Sequence, residues 1–178
     1  MFRPRLNTHL SEADKIIAHL KLEPLASEGG FFARTWTSPD KLACGRAAAT
    51  TIHFLITPTD FSVIHALDAD ELWFFQAGDP VEHLQLTPGV GANGQVTCLG
   101  QNVLGGQLPE ITVPRGTWQG ARILPPTNLA EKRCGWSLIA CTMIPGWRSE
   151  GFQLGKRSML FQLFPQYRSL IETLTRGE

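Results

Sequence analysis

Five residues separate His65 from Glu71, and six more lead to Gly78, in the stretch SVIHALDADELWFFQAG. An imidazole and a carboxylate this close, on short strand-like runs ending at a glycine turn, suit two chemistries. One is part of a divalent-metal site, which needs imidazole nitrogen and carboxylate oxygen converging from several strands. The other is proton transfer. A carboxylate beside a semi-buried imidazole favours its charged form while burial opposes this, and such a pair moves protons near neutral pH. Side chains two apart in a strand share a face, so Leu67 points the same way as His65. Further along, PRGTWQ makes a tight turn at Pro114 and Gly116 and returns Gln119 to the interior. Leucine cannot ligate, and glutamine is a weak neutral ligand. Three readings stay open: a metal held by His65, Glu71, Gln119 and waters, a metal-free acid/base pair, or a buried pair that only hydrogen-bonds. The shortage of donors ranks the metal-free readings first, so no cofactor is expected and a divalent metal is disfavoured.

The elements that must position these groups are mostly strands. FFARTWT, ATTIHFLI, FSVIHAL, ELWFFQAG, VEHLQLT, QVTCLG, EITVP and GWSLIACTMI are short apolar or alternating runs cut by Gly, Pro, Asn and Asp. Such spacing predicts a sandwich or barrel rather than a βαβ sheet. Before them, LSEADKIIAHLKL carries a capping serine, Ser11, with Asp14 at the third helical position and a stripe of Ile16, Ile17 and Leu20. His19 beside that stripe reads as solvated or packed. At the other end, Tyr167, Leu170, Ile171 and Leu174 recur at helical spacing and predict a closing helix after Pro165.

Composition narrows the classes of function. At 178 residues the chain has one domain's length, enough to bury roughly 70% of the surface its unfolded form exposes. Sixteen basic residues balance sixteen acidic ones with no basic block, so nothing electrostatic favours nucleic acid or an anionic membrane. There is no long apolar run and no charged-then-apolar leader, so neither a membrane span nor secretion is expected. Cys44, Cys98, Cys134 and Cys141 are scattered without a CxxC, which reads as free thiols in a reducing cytosol.

His65-x5-Glu71-x6-Gly78 followed by Pro114-x-Gly116-x2-Gln119 resembles the two sequence motifs of the cupin superfamily. In metal-binding cupins the first motif supplies two histidines and a glutamate, and the second a third histidine. His65 and Glu71 match the first histidine and the glutamate; Leu67 and Gln119 stand where the other histidines would be. SEGGFFARTW, TTIHFLI, HALDADELWFFQAGDPVEHLQL, VPRGTWQGA, LIACTMIPGW, GFQL and FPQYRSLI, in this order, resemble one branch of small single-domain cupins of unassigned function, often described as sugar-epimerase-like. That likeness runs from about residue 20 to 174. One departure is Ala26-Ser27, where the branch usually has His-Pro before Glu28-Gly29-Gly30.

The resemblance implies an all-β fold, a double-stranded β-helix or jelly-roll barrel over about 30–147, within one domain spanning 1–178. It places flanking helices at about 11–22 and 165–175. It further implies a small-molecule pocket, a cytoplasmic location and a homodimer. The pocket candidates are Glu28, Arg34, Ser62, His65, Glu71, Trp73, Trp118 and Gln119, with His65 and Glu71 as the reactive pair. Arg34 is a natural anchor for a carboxylate or phosphate, although Glu28 and Arg34 equally suit a surface ion pair. Trp36, Trp73, Trp118 and Trp136 read as core, while aromatic walls also suit a sugar or base. Phe54 and Phe74 read as core, His53 as an inward or rim residue, and His83 as surface. The functions implied are a metal-independent epimerase or isomerase of a sugar-like or carboxylated metabolite, a non-catalytic binding protein, or a metal enzyme with a reduced ligand set.

Overall fold

Ser11 opens the first helix, α1 (Glu12–Leu20), through a capping box: its hydroxyl accepts the Asp14 N–H at 3.1 Å, and Asp14 accepts the Ser11 N–H at 3.0 Å. The computed structural model describes residues 10–89, 93–126 and 132–177. Among these, the strands are β1 (Glu23–Pro24), β2 (Phe31–Thr37), β3 (Thr50–Ile56), β4 (Ser62–Leu67), β5 (Asp70–Gly78) and β6 (Val81–Thr87). They continue as β7 (Asn93–Leu99), β8 (Glu110–Val113), β9 (Trp118–Ile123), β10 (Ser137–Ile144) and β11 (Phe152–Leu154). Two helices close the chain, α2 (Arg157–Leu163) and α3 (Arg168–Thr173).

The strands form two antiparallel sheets, ordered β1-β2-β3-β10-β5-β8 and β11-β4-β9-β6-β7. Their inner faces meet in a core that includes Phe54, Ile56, Trp73 and Ile139 from the first sheet and Val81, Leu99 and Ala121 from the second. The outer face of the five-stranded sheet is covered as well. Ile64, Leu84, Leu86 and Trp118 pack there against Leu160, Phe164, Ile171 and Leu174 of the closing segment. Helix α1 and the residue just beyond its C-terminal cap cover part of the other sheet through Ala13 and Leu22, which pack with Leu55 and Trp136.

Both faces of the central strands of the five-stranded sheet are therefore buried, and this corrects several expectations. His83, read as surface, is fully buried on the inner face. Trp118, read as a pocket wall, points outward beneath the closing helices. Trp36, read as core, is 49% exposed on β2, and Phe74 is only half-buried because the inward positions of β5 go to Trp73 and Phe75. His53 lies on the outer face of β3, opposite to the inward Ile52 and Phe54. The closing helix expected after Pro165 is present as α3, and a further helix, α2, precedes it. Pro165 cannot continue α2, and Phe164 before it sits at φ −136°, ψ 58°, outside the helical region.

The chain crosses from one sheet to the other between β4 and β5. Asp68 sits at that crossing, held by both Arg46 guanidinium ends at 2.9 and 3.1 Å and by Arg148 at 2.5 and 2.8 Å. Burial alone would raise the Asp68 pKa, but the two arginines outweigh it and hold the carboxyl below its usual value. Gly78 ends β5 at φ 97°, where a Cβ would run into the Trp136 carbonyl, so the glycine of the first motif is a backbone requirement.

Candidate functional site

His65 and Glu71 lie near each other in sequence but come from opposite sheets and face each other across the interior. His65 pairs with Gln119 in the β4–β9 ladder, and Glu71 pairs with Met143 on β10. Ser62 and His65 are three apart, so plain alternation would send them to opposite faces. The β4–β9 register shifts between them, and this bulge turns both side chains inward. Gly120 sits opposite the bulge, where a Cβ would press on Ile64 at 2.8 Å.

Gln119 is the hub. Its amide nitrogen donates to Glu71 Oε2 at 2.7 Å and lies 3.4 Å from His65 Nε2, while its oxygen lies 3.2 Å from His83 Nε2. His65 Nδ1 lies 2.8 Å from the Val63 carbonyl, so Nδ1 carries the proton and Nε2 is the acceptor. Trp73 Nε1 adds a second donor to Glu71 Oε2 at 2.9 Å. On the other side, Ser62 Oγ donates to Glu28 Oε1 at 2.8 Å, and Glu28 Oε2 reaches to 3.8 Å from His65 Nε2. Glu28 is thus part of the site rather than one half of a surface pair with Arg34.

A cavity of about 170 Å³ opens beside this network. Glu28, Glu71 and Arg34 bring charge to its wall, and Phe32, Ile52, Leu67, Met143 and Phe152 make half of the rest. His65 is buried behind that wall, stacked on Phe152 with ring centroids 5.3 Å apart. Trp73 and Gln119 also lie beneath the cavity and hold Glu71 from below. Of the eight sequence candidates, Glu28, Arg34 and Glu71 line the cavity. Ser62, His65, Trp73 and Gln119 support it from within, and Trp118 lies on the far side of β9.

Burial raises the Glu71 pKa, and the nearby Glu28 charge raises it further. His65 and the Trp73 and Gln119 hydrogen bonds only partly oppose this. Burial also pushes the Cys141 thiol well up, with Glu71 and Glu28 adding to it, so this cavity cysteine stays protonated and is no nucleophile. His83 is driven by burial down to about 3, which keeps it neutral as a donor to Gln119. A histidine depressed in this way contributes stability that is fully present above its unfolded pKa and lost as pH falls towards the folded one. The stability advantage of wild type over His83→Gln should therefore shrink by about 2 kcal/mol between pH 7 and pH 5. Urea unfolding of both proteins at the two pH values checks this, and an unchanged difference would refute it.

The donor set does not fit a metal. Among the described residues no group of three or more His, Cys, Asp or Glu side chains is arranged to hold one. Gln119 turns its amide nitrogen, not its oxygen, towards His65 and Glu71, and Leu67 packs with Met143 and Phe152 instead of offering a donor.

The family model described as Cupin superfamily (DUF985) matches residues 14–155. The chain belongs to this cupin family. Two solved structures are similar to this cupin over nearly their whole length. One, a protein from Shewanella oneidensis, is 28% identical with a TM-score of 0.82, over 95% of this chain and 100% of that one. The other, a hypothetical protein from Leishmania major, is 30% identical with a TM-score of 0.82, over 93% and 99%. A cupin 2 conserved barrel domain protein from Rhodopseudomonas palustris, 12% identical with a TM-score of 0.53 over 87% and 86%, shares the fold alone. No curated protein matches the chain. Among the described residues of this cupin, no helix is long and apolar enough to cross a membrane.

Sequence reading missed His83, Cys141 and Phe152 as parts of the site. For His83 a signal existed. VEHLQL alternates on both faces with no charged residue after Glu82, as a strand covered on both sides does, and the apolar closing segment needs such a sheet to cover.

Proposed function

We propose that this cupin is a metal-independent proton-transfer enzyme of the isomerase or epimerase class, acting on a small sugar-like or carboxylated molecule in its cavity. The observation that carries this reading is the pair of carboxylates from different parts of the chain, Glu28 and Glu71, on one cavity wall with unlike environments. Two titratable groups whose surroundings differ divide acid and base work between them. Glu71, held towards its neutral form, donates a proton to a substrate carbonyl oxygen. Glu28 Oε2, free of the Ser62 bond that occupies Oε1, takes the proton from the adjacent carbon. The C–H electron pair becomes the enol double bond, the carbonyl π pair takes the Glu71 proton, and reversal from either face or at a neighbouring carbon gives the isomer. His65 Nε2, 3.8 Å from Glu28, acts as a relay for the abstracted proton.

The sealing of His65 behind Phe152 favours a second reading, a binding protein in which the network only shapes and orients the cavity. Incubation in deuterated water with a panel of oxo acids, sugar acids and nucleotide sugars separates the two. Deuterium washed into a substrate carbon, and reduced about 10²–10⁴-fold in Glu28→Gln and in His65→Ala, is the expected result. Tight binding without exchange in wild type would replace the enzyme by the binding protein.

A further inference from the structure

We infer that the cavity takes a small carboxylic acid with an apolar side chain rather than a sugar, the carboxylate on Arg34 and the reacting carbon between Glu28 and Glu71. The placing of the reacting carbon rests on the proton-transfer reading; the acid and its apolar body rest on the walls alone.

Arg34 shares the cavity with two carboxylates and yet pairs with neither. Among the described residues its guanidinium has no hydrogen-bond or ion-pair partner, and burial alone pulls its pKa down. A guanidinium at the cavity mouth with its donors free can meet an incoming anion, and its planar fork matches a carboxylate. It is the exposed one of the three charged wall residues, whereas Glu71 is buried. A ligand that reaches both therefore has its anion towards the opening and its reacting end inside.

Between these ends the wall is apolar: Phe32, Ile52, Leu67, Met143 and Phe152. Several polar atoms of the wall are already engaged, which leaves Glu28 Oε2, Glu71 Oε1 and the exposed Ser27 hydroxyl for a ligand. Thr50 Oγ1 accepts the Trp147 N–H at 2.9 Å, Glu28 Oε1 accepts from Ser62, and Glu71 Oε2 takes both Trp73 and Gln119. A sugar buried here would leave several hydroxyls without partners, which a binding site strongly disfavours. The volume of about 170 Å³ also lies below the roughly 300–1,000 Å³ of sites for drug-sized ligands, so a nucleotide sugar does not fit. Leu67, the position where a metal-binding cupin would place a histidine, is one of the walls that make the cavity apolar. A 2-oxo acid satisfies both ends. Glu28 removes a proton from the carbon next to the oxo group, and Glu71 protonates the oxo oxygen, giving the enol without any other reactant.

Calorimetric titration of the full chain tests this, with phenylpyruvate, 4-methyl-2-oxopentanoate, their methyl esters, gluconate and a uridine-diphosphate hexose as probes. The two acids should bind at least about tenfold more tightly than their esters or gluconate. Arg34→Met should erase the preference for acid over ester while leaving ester binding and the melting temperature unchanged. Equal binding of acids and esters, tighter binding of gluconate or the nucleotide sugar, no binding of either acid at millimolar concentration, or a preference that survives Arg34→Met would each overturn the assignment. Repeating the titrations on Glu71→Gln, in which no proton is transferred, keeps the two proposals apart. Acids that bind with the expected preference but show no deuterium exchange in wild type leave the acid assignment standing and overturn proton transfer. Exchange on gluconate or the nucleotide sugar but not on the acids overturns the acid assignment and leaves proton transfer standing.

Discussion

Glu71→Gln should abolish deuterium exchange and at the same time make the protein more stable above neutral pH. The carboxyl is buried, and its pKa is raised by burial and by Glu28. A carboxyl with a raised folded pKa binds its proton more tightly in the folded state. The contribution of this group to stability is therefore fullest at low pH and falls as pH climbs from the ordinary carboxylate range through the raised value. Glutamine keeps the oxygen that accepts from Trp73 Nε1 and Gln119 Nε2 but never ionises, so the variant lacks that loss. Each unit of raised pKa corresponds to about 1.4 kcal/mol, and each kcal/mol to about 2–4 °C in a chain of this size. The variant should melt a few degrees above wild type at pH 8 and show a smaller gain at pH 4. Scanning calorimetry at the two pH values is the measurement. A variant less stable than wild type at pH 8 would mean that Glu71 is ionised and well solvated by its partners. Exchange that survives in the variant would remove Glu71 from the proposed chemistry.

The largest loss of stability is expected at Trp73. Its side chain is among the largest that are fully buried, meets Phe54 edge-on at 5.7 Å and His83 at 4.8 Å, and donates to Glu71. Trp73→Ala removes packing from the core between the sheets and leaves a cavity, at a cost of about 3–5 kcal/mol. It also takes a hydrogen bond from the buried carboxylate. Trp73→Phe separates these effects, because it keeps most of the packing and loses only the indole N–H. Its cost should be about 1–2 kcal/mol, with the Glu71 pKa moving further up because one stabilising donor is gone. Urea unfolding of both variants, with the pH dependence of the Phe variant, checks this. Equal losses in the two would place the stabilisation in the hydrogen bond rather than in the packing.

The electrostatics of the site follow from a division of labour that sequence alone does not display. His65 and Glu71 looked like a direct pair, yet Gln119 stands between them, with His83 fixing the orientation of its amide. Gln119 thus makes the centre of the site a hydrogen-bond relay. Glu28, which in the sequence equally suited a surface pair with Arg34, becomes the carboxylate nearest to His65.

Much of the architecture was determined by local pattern. Alternating runs placed the strands, Ser11 and Asp14 placed the first helix, and the two motifs announced the cupin fold. These features depend on contacts within a few residues, where period-two alternation, capping and turn chemistry operate. What only the tertiary structure decided are the matters that depend on which distant segment lies opposite. The bulge in β4 brings Ser62 to the same side as His65, although they are an odd number apart. The crossing at Asp68 sends Glu71 to the other sheet. The closing helices bury the outer face, so Trp118 turns away from the cavity and His83 is enclosed. Register and layer order are set by the sum of long-range packing, and no short window of sequence contains that sum.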